Sequence, residues 1–367
     1  MLFLVVAIFL FAGAGATATP PQLAFRWIQM IDHEHGYALS GQDVYDLLWT
    51  SDGGHSWSNV TPGKGTIHPS STLSIFGSTR LFSRKLGQHT FAVVRSNDAG
   101  RTWRQSRPFA DPHGQGAGQP YAVDPGHLFL AVDEGAAAGS QSQALFTSSD
   151  GGEHWTFASR TEWNHPAPGS LPVGCDKNGF AFTTTSRGWA GGDCAGGPPF
   201  LYRTIDGGKT WRRQVVAAPI NCACNTTAPA FFGPSVGALA VTGFPASGGG
   251  APVARVFWTH DGGEHRKNSA TLGTGRVEQV SFANAHDVWI TSTPRGHLRT
   301  PFNRLIRTAD GGLHWQATNL PFDAGNYRLD ALSSSTAFGV EVAAVSNTVV
   351  VTHDGGRTWT TIHARLG

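Results

Sequence analysis

The chain has 367 residues, of which 47 are Gly, and 27 Lys and Arg residues against 25 Asp and Glu residues give a formal net charge of +2. With 40% apolar residues and so little net charge, a disordered chain is excluded. The lack of a basic excess argues against a nucleic-acid partner. A polytopic membrane protein is excluded as well, because no long apolar stretch occurs beyond the N-terminus. Many Gly and aromatic residues favour short strands joined by tight turns.

The N-terminus has the pattern of an export signal. Residues 2–12 form an apolar core that is too short to span a bilayer, and small residues at 16–18 or 14–16 fit a cleavage site. We therefore predict a signal peptide at residues 1–18 and a mature domain at residues 19–367. The expected location is secreted, periplasmic or in the cell envelope, without stable membrane insertion after cleavage. The alternative is an uncleaved membrane anchor.

A motif of the form [ST]-x-D-[GA]-G-x-x-W recurs seven times in the predicted mature domain. Its copies are Thr50–Trp57, Ser96–Trp103, Ser148–Trp155, Thr204–Trp211, Thr259–Arg266, Thr308–Trp315 and Thr352–Trp359. The fifth copy departs from the pattern, since Arg266 stands where the others have Trp. The acidic residues of the seven copies are Asp52, Asp98, Asp150, Asp206, Asp261, Asp310 and Asp354. A motif that recurs every 44 to 56 residues predicts an array of similar structural units.

Each copy of the motif has the composition of a hairpin turn. Asp-Gly-Gly between two apolar runs is a turn signal, and the Asp carboxylate can accept backbone N–H groups of its own turn. Gly at the fifth position can adopt a positive φ, and the Trp can bury its ring against a neighbouring unit. We therefore interpret the seven Asp residues as structural and not catalytic.

Four short β-rich runs surround each motif, as three units illustrate. The first unit predicts strands at Phe25–Ile31, Gly36–Leu39, Tyr45–Thr50 and Ser56–Val60. The fourth predicts Gly179–Thr184, Gly188–Gly191, Phe200–Thr204 and Thr210–Val215. The seventh predicts Tyr327–Leu332, Ala337–Val342, Thr348–Thr352 and Thr358–His363. Four strands per repeat predict propeller blades. Because the first and last units look complete, we expect the ring to close by packing and not by a swapped strand.

The motif and its recurrence resemble the Asp-box, or BNR, repeat, in which the box forms the turn between the third and fourth strands of a propeller blade. The resemblance implies an all-β fold, a seven-bladed β-propeller of four-stranded antiparallel blades over residues 19–367. All seven boxes then lie on one face of the ring and the longer loops on the other. We expect any ligand site on the loop face, because binding residues concentrate on loops carried by a rigid scaffold.

The four cysteines all fall in or beside the loops of that second face: Cys175, Cys194, Cys222 and Cys224. They fit an oxidising compartment. A bond between Cys222 and Cys224 would close a very small loop, so we expect Cys175 and Cys194 each to pair with one of those two. A four-thiolate metal site is the alternative, but the spacing matches no familiar zinc pattern, and two histidines at His33 and His35 do not make a site. No metal and no cofactor are predicted.

Two loops on the same face supply the candidate binding residues. In the first, Arg160, Glu162, Trp163 and His165 place an aromatic ring among charged groups, as in carbohydrate- or peptide-binding loops. The alternative is that Trp163 is buried between blades. The second loop is basic and suits an anionic ligand, or is simply solvated; its residues are Arg295, His297 and Arg299.

Asp-box enzymes define the alternative function. Sialidases resemble this chain in their boxes, but their Arg-Ile-Pro motif is missing, and the early arginine here reads Phe25-Arg26-Trp27-Ile28. Asp-box enzymes that cleave β-glucans use two carboxylates across a cleft. Six acidic residues fall on the predicted loop face, but the sequence does not show which of them converge: Asp111, Asp133, Glu134, Glu162, Asp176 and Asp193.

The fourth and sixth copies carry the most specific resemblance. Leu201 to Trp211 and Leu305 to Trp315 are similar to the box L-x-R-T-x-D-G-G-x-T-W of the photosystem II stability/assembly factor family and its bacterial relatives, except that His314 replaces Thr. In the photosynthetic members the propeller binds an assembling membrane protein. The resemblance implies a monomeric, exported, non-enzymatic binding or assembly scaffold that holds a protein or glycan ligand at its loop face. The alternative is a secreted glycoside hydrolase, either sialidase-like or glucanase-like.

Overall fold

The computed structural model describes residues 23–42, 45–62, 66–67, 73–163, 169–194, 197–246, 251–294, 303–343 and 345–367. The predicted signal peptide and the candidate residues His165, Arg295, His297 and Arg299 lie outside the described residues. Within the described part, the one helical segment is the 3-10 turn Ala324–Asn326, and no helix is long and apolar enough to cross a membrane.

Seven consecutive antiparallel units make up the described chain, and each has four strand positions paired in sequence order. Unit 1 contains β1 Phe25–Met30, β2 Gly36–Gly41, β3 Tyr45–Thr50 and β4 Ser56–Asn59. Unit 2 contains β5 Thr66–Ile67, β6 Ser74–Phe76, β7 Thr79–Gly87, β8 Thr90–Ser96, β9 Arg104–Gln105 and β10 Phe109–Ala110. Unit 3 contains β11 Gly116–Ala122, β12 Leu128–Ala137, β13 Ser140–Ser148 and β14 Thr156–Arg160.

The other units follow the same plan. Unit 4 contains β15 Asp176–Phe182, β16 Gly188–Asp193, β17 Phe200–Thr204 and β18 Arg212–Arg213. Unit 5 contains β19 Cys222–Thr226, β20 Ala230–Phe231, β21 Gly237–Pro245, β22 Val253–Thr259, β23 Lys267–Asn268 and β24 Leu272–Gly273. Unit 6 contains β25 Arg276–Phe282, β26 Val288–Thr293, β27 Asn303–Thr308 and β28 Gln316–Leu320. Unit 7 contains β29 Tyr327–Ala331, β30 Ala337–Glu341, β31 Thr348–Thr352 and β32 Thr360–His363, and β33 Arg365–Leu366 ends the chain. In units 2 and 5 the first and fourth strand positions are each divided between two short strands.

Apolar clusters join each unit to the next. Seven separate clusters of buried side chains each combine residues from two adjacent units, and the last of them combines units 7 and 1. In that last cluster Trp57 and Phe25 of unit 1 pack with Phe338 and Val349 of unit 7. Because every unit has an apolar contact on both sides, the units form a closed ring.

Closure of the ring differs in part from the sequence expectation. Packing of β1 against β29 and β30 joins the first and last units, as expected. In addition, β33 pairs in parallel with β4, so Arg365 lies opposite Ser56 and Leu366 opposite Trp57. The expectation of closure without a strand from the other end of the chain was therefore wrong. The chain continues past β32 far enough to reach the free edge of unit 1, and its backbone groups find partners there.

The seven motif turns lie on one face of the ring, which we call the box face. In every unit a backbone N–H of the motif turn donates to a carbonyl in the turn between the first two strands, over 2.7 to 3.0 Å. Unit 4 is an example, with Gly207 donating to Ser186. The two turns of each unit are thus neighbours, and the remaining connections fall on the other side, which we call the opposite face.

Candidate functional site

The seven motif turns share one hydrogen-bond pattern. In unit 4 the Thr204 hydroxyl donates to Asp206 Oδ1 over 2.8 Å, and the Thr210 backbone N–H donates to the same oxygen over 2.9 Å. The Gly208 N–H donates to the Thr204 hydroxyl over 2.9 Å, and Trp211 Nε1 donates to the Gly208 carbonyl over 3.1 Å. The hydroxyl-to-Asp bond recurs in all seven turns at 2.8 to 2.9 Å.

Hydrogen bonding holds the carboxylates of these turns in the charged form. The His154 backbone N–H and the His154 ring hold the pKa of Asp150 at about 2, and His314 does the same for Asp310. In unit 2 the Thr102 hydroxyl and N–H lower the pKa of Asp98. A general acid needs a pKa near the working pH. These carboxylates have the opposite property, and their oxygens are already engaged by their own turns.

Arg160 lies between two buried carboxylates on the opposite face. Its Nη2 contacts Asp111 Oδ1 over 2.9 Å, and its Nε contacts Glu134 Oε1. The Asp111 side chain is fully buried, and that of Glu134 is 3% exposed. Glu134 also accepts from the Ser142 hydroxyl over 2.6 Å. The guanidinium of this candidate binding residue therefore already bridges unit 3 to the loop that follows unit 2.

The rest of the first candidate loop is open to solvent. Trp163 is 77% exposed, so the alternative of a Trp buried between blades was wrong. Glu162 accepts a hydrogen bond from the Ser170 hydroxyl over 2.9 Å, and its backbone pairs with Leu171 and Val173. These contacts keep Glu162 and Trp163 apart from the Arg160 cluster. A binding role for this loop stays a prediction.

The disulfide pairing expected from the sequence was wrong. Cys175 bonds to Cys194, and Cys222 bonds to Cys224. The first pair continues the β15–β16 ladder, in which Asp176 faces Asp193, so the next residues along each strand also meet, with Cα atoms 4.3 Å apart. The second pair lies on β19, where residues two apart share a face of the strand. The expectation was wrong because it considered only the size of the loop that each bond closes, and not which cysteines the strands bring together.

The β15–β16 ladder also brings two carboxylates together. Asp176 and Asp193 are direct partners across the two strands. Burial raises the pKa of Asp193, and the charge of Asp176 raises it further. Cβ atoms of such partners lie about 4.5–5.5 Å apart, which brings the carboxyl groups within reach of each other. No sequence signal identified this pair, because it follows from the register of two strands.

A cavity of about 490 Å³ opens on the inner side of the ring among units 3, 4 and 5. The first strands of neighbouring units contact one another, as β11 does with β15, so they line the inside of the ring. The register slips between Ala117 and Pro120 in β11 and between Lys177 and Gly179 in β15. Such bulges redirect side chains. The polar side chains that line the cavity are Gln119, Tyr121, Asp133, Gln141, Gln143, Lys177 and Asn178.

Five of these polar side chains bond to one another or to nearby groups: Asp133, Gln141, Gln143, Lys177 and Asn178. The Lys177 ammonium donates to the carbonyl oxygens of Val173, Cys175 and Gln141 over 2.6 to 3.0 Å. Burial lowers the pKa of Lys177 to about 8, and the charges of nearby acidic groups oppose that shift. Gln141 accepts from the Lys177 backbone N–H and donates to Asp133 over 2.9 Å. With its three N–H groups occupied, Lys177 anchors the loop before β15.

Asp133, Gln141 and Lys177 lie toward the strand ends away from the motif turns, so the inner cavity extends toward the opposite face. Asp133 is the one carboxylate among its described lining residues. Asp176 and Asp193 do not line it, and neither do Asp111, Glu134 or Glu162. Its other surfaces are apolar and include Phe129, Leu145 and Phe180. A volume within about 300–1,000 Å³, an apolar lining and a few convergent polar groups are typical of small-ligand sites. This cavity is the candidate functional site.

Histidine groups on the box face do not form a metal centre among the described residues, where no three His, Cys, Asp or Glu side chains are arranged to hold an ion. His35 Nδ1 contacts Asp32 over 3.0 Å. The ring of His33 stacks on that of His353 from unit 7, with centroids 5.6 Å apart. Both histidines therefore take part in local contacts of the box face.

Comparison with known proteins finds proteins that are similar to this chain in structure. No family model and no curated protein matches the sequence. The chain is similar in structure to YCF48 bound to a D1 peptide, with a TM-score of 0.50 and 16% identity over 92% of this chain and 93% of that one. The chain has a β-propeller fold. The predicted all-β fold class is thereby confirmed.

Two larger enzymes contain a similar ring. A prolyl endopeptidase matches with a TM-score of 0.55 and 12% identity over 93% of this chain, and an ancestral GH74 enzyme with 0.52 and 9% over 94%. The propeller spans 49% and 47% of those two chains. At these identities the similarity establishes the shared architecture and nothing about activity.

Proposed function

We propose that this propeller is an exported, non-enzymatic binding or assembly scaffold that holds a protein or glycan ligand at its opposite face. The observation that carries the proposal is the cavity of about 490 Å³ between units 3, 4 and 5, in which Asp133 is the one carboxylate among the described lining residues. Hydrolysis of a glycosidic bond by the usual route needs two carboxyl groups beside the substrate. A single carboxylate among amides and aromatic rings suits binding instead.

The seven motif turns support a structural role for the box face and a binding role for the opposite face. We infer that they are Asp boxes with a structural role, because their carboxylates are engaged within their own turns in every unit. The motif turns of the box face therefore have the same structure in all seven units. The opposite face carries the cavity and the variable loops, including the exposed Trp163.

Export is supported by the cysteines, and a protein ligand by one of the comparisons. The described residues contain two disulfides and no free cysteine, which fits an oxidising compartment. YCF48, solved bound to a D1 peptide, has the same fold over nearly its whole length. A peptide ligand on a single propeller of this size is therefore physically reasonable.

The test compares two matched glycine substitutions. A Cβ at Gly118 would lie 3.6 Å from the Ala131 carbonyl oxygen, so Gly118→Leu fits the backbone and fills the cavity. Gly273, on β24 at the rim of unit 5, has open space at its Cβ position, so Gly273→Leu is the control. Each variant is immobilised and exposed to solubilised envelope proteins and to surface polysaccharides from the same cells. A retained component should be lost with Gly118→Leu and kept with Gly273→Leu. Equal retention by both variants would refute the proposed site.

A second candidate function is a secreted glycoside hydrolase, sialidase-like or glucanase-like, and one observation favours it. Asp176 and Asp193 face each other across β15 and β16, and the pKa of Asp193 is raised by burial and by the neighbouring charge. A raised pKa next to an ionised carboxylate is the arrangement that acid catalysis on glycosides requires. Turnover of a glycan panel that disappears in Asp193→Asn and persists in Glu162→Gln would establish this function and refute a non-enzymatic scaffold.

A further inference from the structure

The cavity lining leaves both acceptors and donors for a ligand. Asn178 donates its amide N–H groups to Asn225 Oδ1 over 2.8 Å and to the Thr226 carbonyl over 3.1 Å, so its own Oδ1 is the group left for a ligand. Asp133 Oδ1 accepts a hydrogen bond from the Gln141 amide, which leaves Oδ2 to accept from a ligand. The groups still able to donate include the Gln119 amide, the Tyr121 hydroxyl and the Gln143 amide, whose contact to Asp133 is 3.5 Å long. Burial raises the Tyr121 pKa to about 12, so its hydroxyl stays neutral. A ligand must therefore supply both donors and acceptors.

Charge restricts the ligand further. The one cation of the lining, Lys177, spends its three N–H groups on backbone carbonyls, so it has no donor left for an anionic group. The charge of Asp133 partly opposes the lowering of the Lys177 pKa by burial. The pair leaves the lining without net charge. Carboxylated, sulfated or phosphorylated ligands find no counter-charge here, and a cationic side chain finds no uncompensated carboxylate.

The rest of the lining is apolar and partly aromatic. Phe180 and Tyr121 on the two inner strands are half-buried, and Phe129 and Leu145 form the wall behind them. Apolar ring carbons pack on such surfaces, while hydroxyl groups at the ring edge donate to nearby carboxylate and amide oxygens. Pyranose sugars have both features. Each sugar hydroxyl can rotate to donate or to accept, whereas the N–H and C=O groups of a peptide backbone have fixed roles.

We propose that the cavity binds a neutral oligosaccharide, with Asp133 and Asn178 accepting from its hydroxyl groups and Phe180 and Tyr121 packing on a sugar ring. The inference rests on the proposed binding function and specifies its ligand. The cavity is large enough for more than one sugar residue, since about 490 Å³ exceeds the volume of a single small ring.

The experiment uses defined oligosaccharides with the full mature protein. Neutral tetrasaccharides of glucose, mannose and xylose are titrated by calorimetry, alongside oligogalacturonate as the acidic probe and a lysine-rich peptide as the cationic probe. Two cavity variants are compared with the wild type: Gly118→Leu and Gln119→Trp. Gln119 is exposed and Gly118 tolerates a side chain, so both variants should have the same melting temperature as the wild type. Gly273→Leu is the matched control.

We expect at least one neutral tetrasaccharide to bind the wild type and Gly273→Leu equally, and to bind both cavity variants at least about tenfold more weakly. Asp133→Asn should also weaken binding, because it replaces an accepting oxygen with a donating amide. If oligogalacturonate or the peptide binds in place of the neutral sugars, the ligand assignment is wrong while the binding scaffold stands. If a neutral sugar binds with equal affinity to both cavity variants, the cavity is not its site. If neither the sugars nor any envelope component is retained, both proposals fail.

Discussion

Arg160 provides the sharpest stability test of the opposite face. The variant Arg160→Met keeps most of the side-chain stem and removes the guanidinium that contacts Asp111 over 2.9 Å and also contacts Glu134. After the substitution, the Asp111 carboxylate retains the His113 backbone N–H at 3.1 Å, and its second oxygen is already buried without a partner. Glu134 retains the Ser142 hydroxyl. Two buried negative charges would then face each other with little compensation.

The expected loss follows from the burial of these two carboxylates. Removing one partner from a buried ion pair costs about 3–5 kcal/mol of unfolding free energy. For a chain of this length, about 2 °C of melting temperature corresponds to each kcal/mol, so the expected decrease is about 6–10 °C.

The measurement is urea unfolding at pH 7 of the wild type, Arg160→Met and the control Arg104→Met. Arg104 lies exposed on β9, so its substitution should change the unfolding free energy by less than about 0.5 kcal/mol. Adding Asp111→Asn and Glu134→Gln to Arg160→Met should recover part of the lost stability. A loss below about 1 kcal/mol, or no recovery in the triple variant, would refute the assignment of Arg160 to a structural ion cluster.

Three further predictions concern the turns, the ring closure and the disulfides. Asp206→Ala removes the acceptor of the Thr204 and Thr210 hydroxyls and of the Thr210 N–H, so we expect a loss of about 1–3 kcal/mol in urea unfolding without a change in ligand binding. An unchanged melting temperature would contradict this. Asp330 accepts from the Met30 N–H over 2.6 Å, and burial raises its pKa to about 7, above the unfolded value of about 3.9. Its contribution to stability is thus complete below pH 4 and is lost as the pH rises through 7, so melting temperatures at pH 5 and pH 8 should differ less in Asp330→Asn than in the wild type. Identical pH profiles would show that the carboxyl does not titrate there. Replacing Cys175 and Cys194 with Ala should cost about 3 kcal/mol in the chain-entropy account, and replacing Cys222 and Cys224 about half as much, because the second loop is far shorter. If calorimetry shows equal losses of unfolding free energy for the two double variants, loop closure is not the main source of the stabilisation.

The regular part of the fold was predictable because each unit repeats the same local chemistry. The four strands expected in unit 1 match β1 to β4 to within two residues at each end. The prediction was less accurate where strands depend on partners distant in sequence. Asp133 and Glu134, placed on the predicted loop face, lie in strand β12 of the β12–β13 hairpin, and β18 is shorter than the expected strand Thr210–Val215. Edge strands and hairpin lengths depend on what packs beside them, which a single unit does not specify.

The candidate site was much harder to predict than the fold. Its location on the loop face was expected, but none of the seven polar lining residues was among the candidate binding residues. All seven lie on strands whose pairing contains a register shift, where the register decides which side chains point inward. Arg160 was chosen for its charge, and that charge is matched by two carboxylates from other segments. Charge in a sequence does not reveal whether a partner lies nearby in space.

The boundary between units 4 and 5 shows how the ring accommodates its irregular motif. In five other units the Trp of the motif lies 3.5 to 3.7 Å from the Cβ position of the second Gly. In unit 5, where Arg266 replaces that Trp, the ring of Trp189 from unit 4 lies 2.6 Å from the Cβ position of Gly263. Trp258 of unit 5 lies against Gly312 in the same way, although unit 6 keeps Trp315. Arg203 stacks on Trp189 and pairs with Glu264 of the fifth motif through two contacts of 2.5 and 2.8 Å.

That boundary is also the place where two units share one sheet. Asp193 of β16 pairs with Asn225 of β19, and the Asn178 side chain reaches the same strand, so backbone bonds supplement the apolar contact between the two units. Asn178 is at once part of this junction and part of the cavity lining. The cavity therefore shares a residue with the one junction at which two units are joined in a single sheet. A ligand that binds the folded ring there should raise the melting temperature by an amount set by the ratio of ligand concentration to dissociation constant.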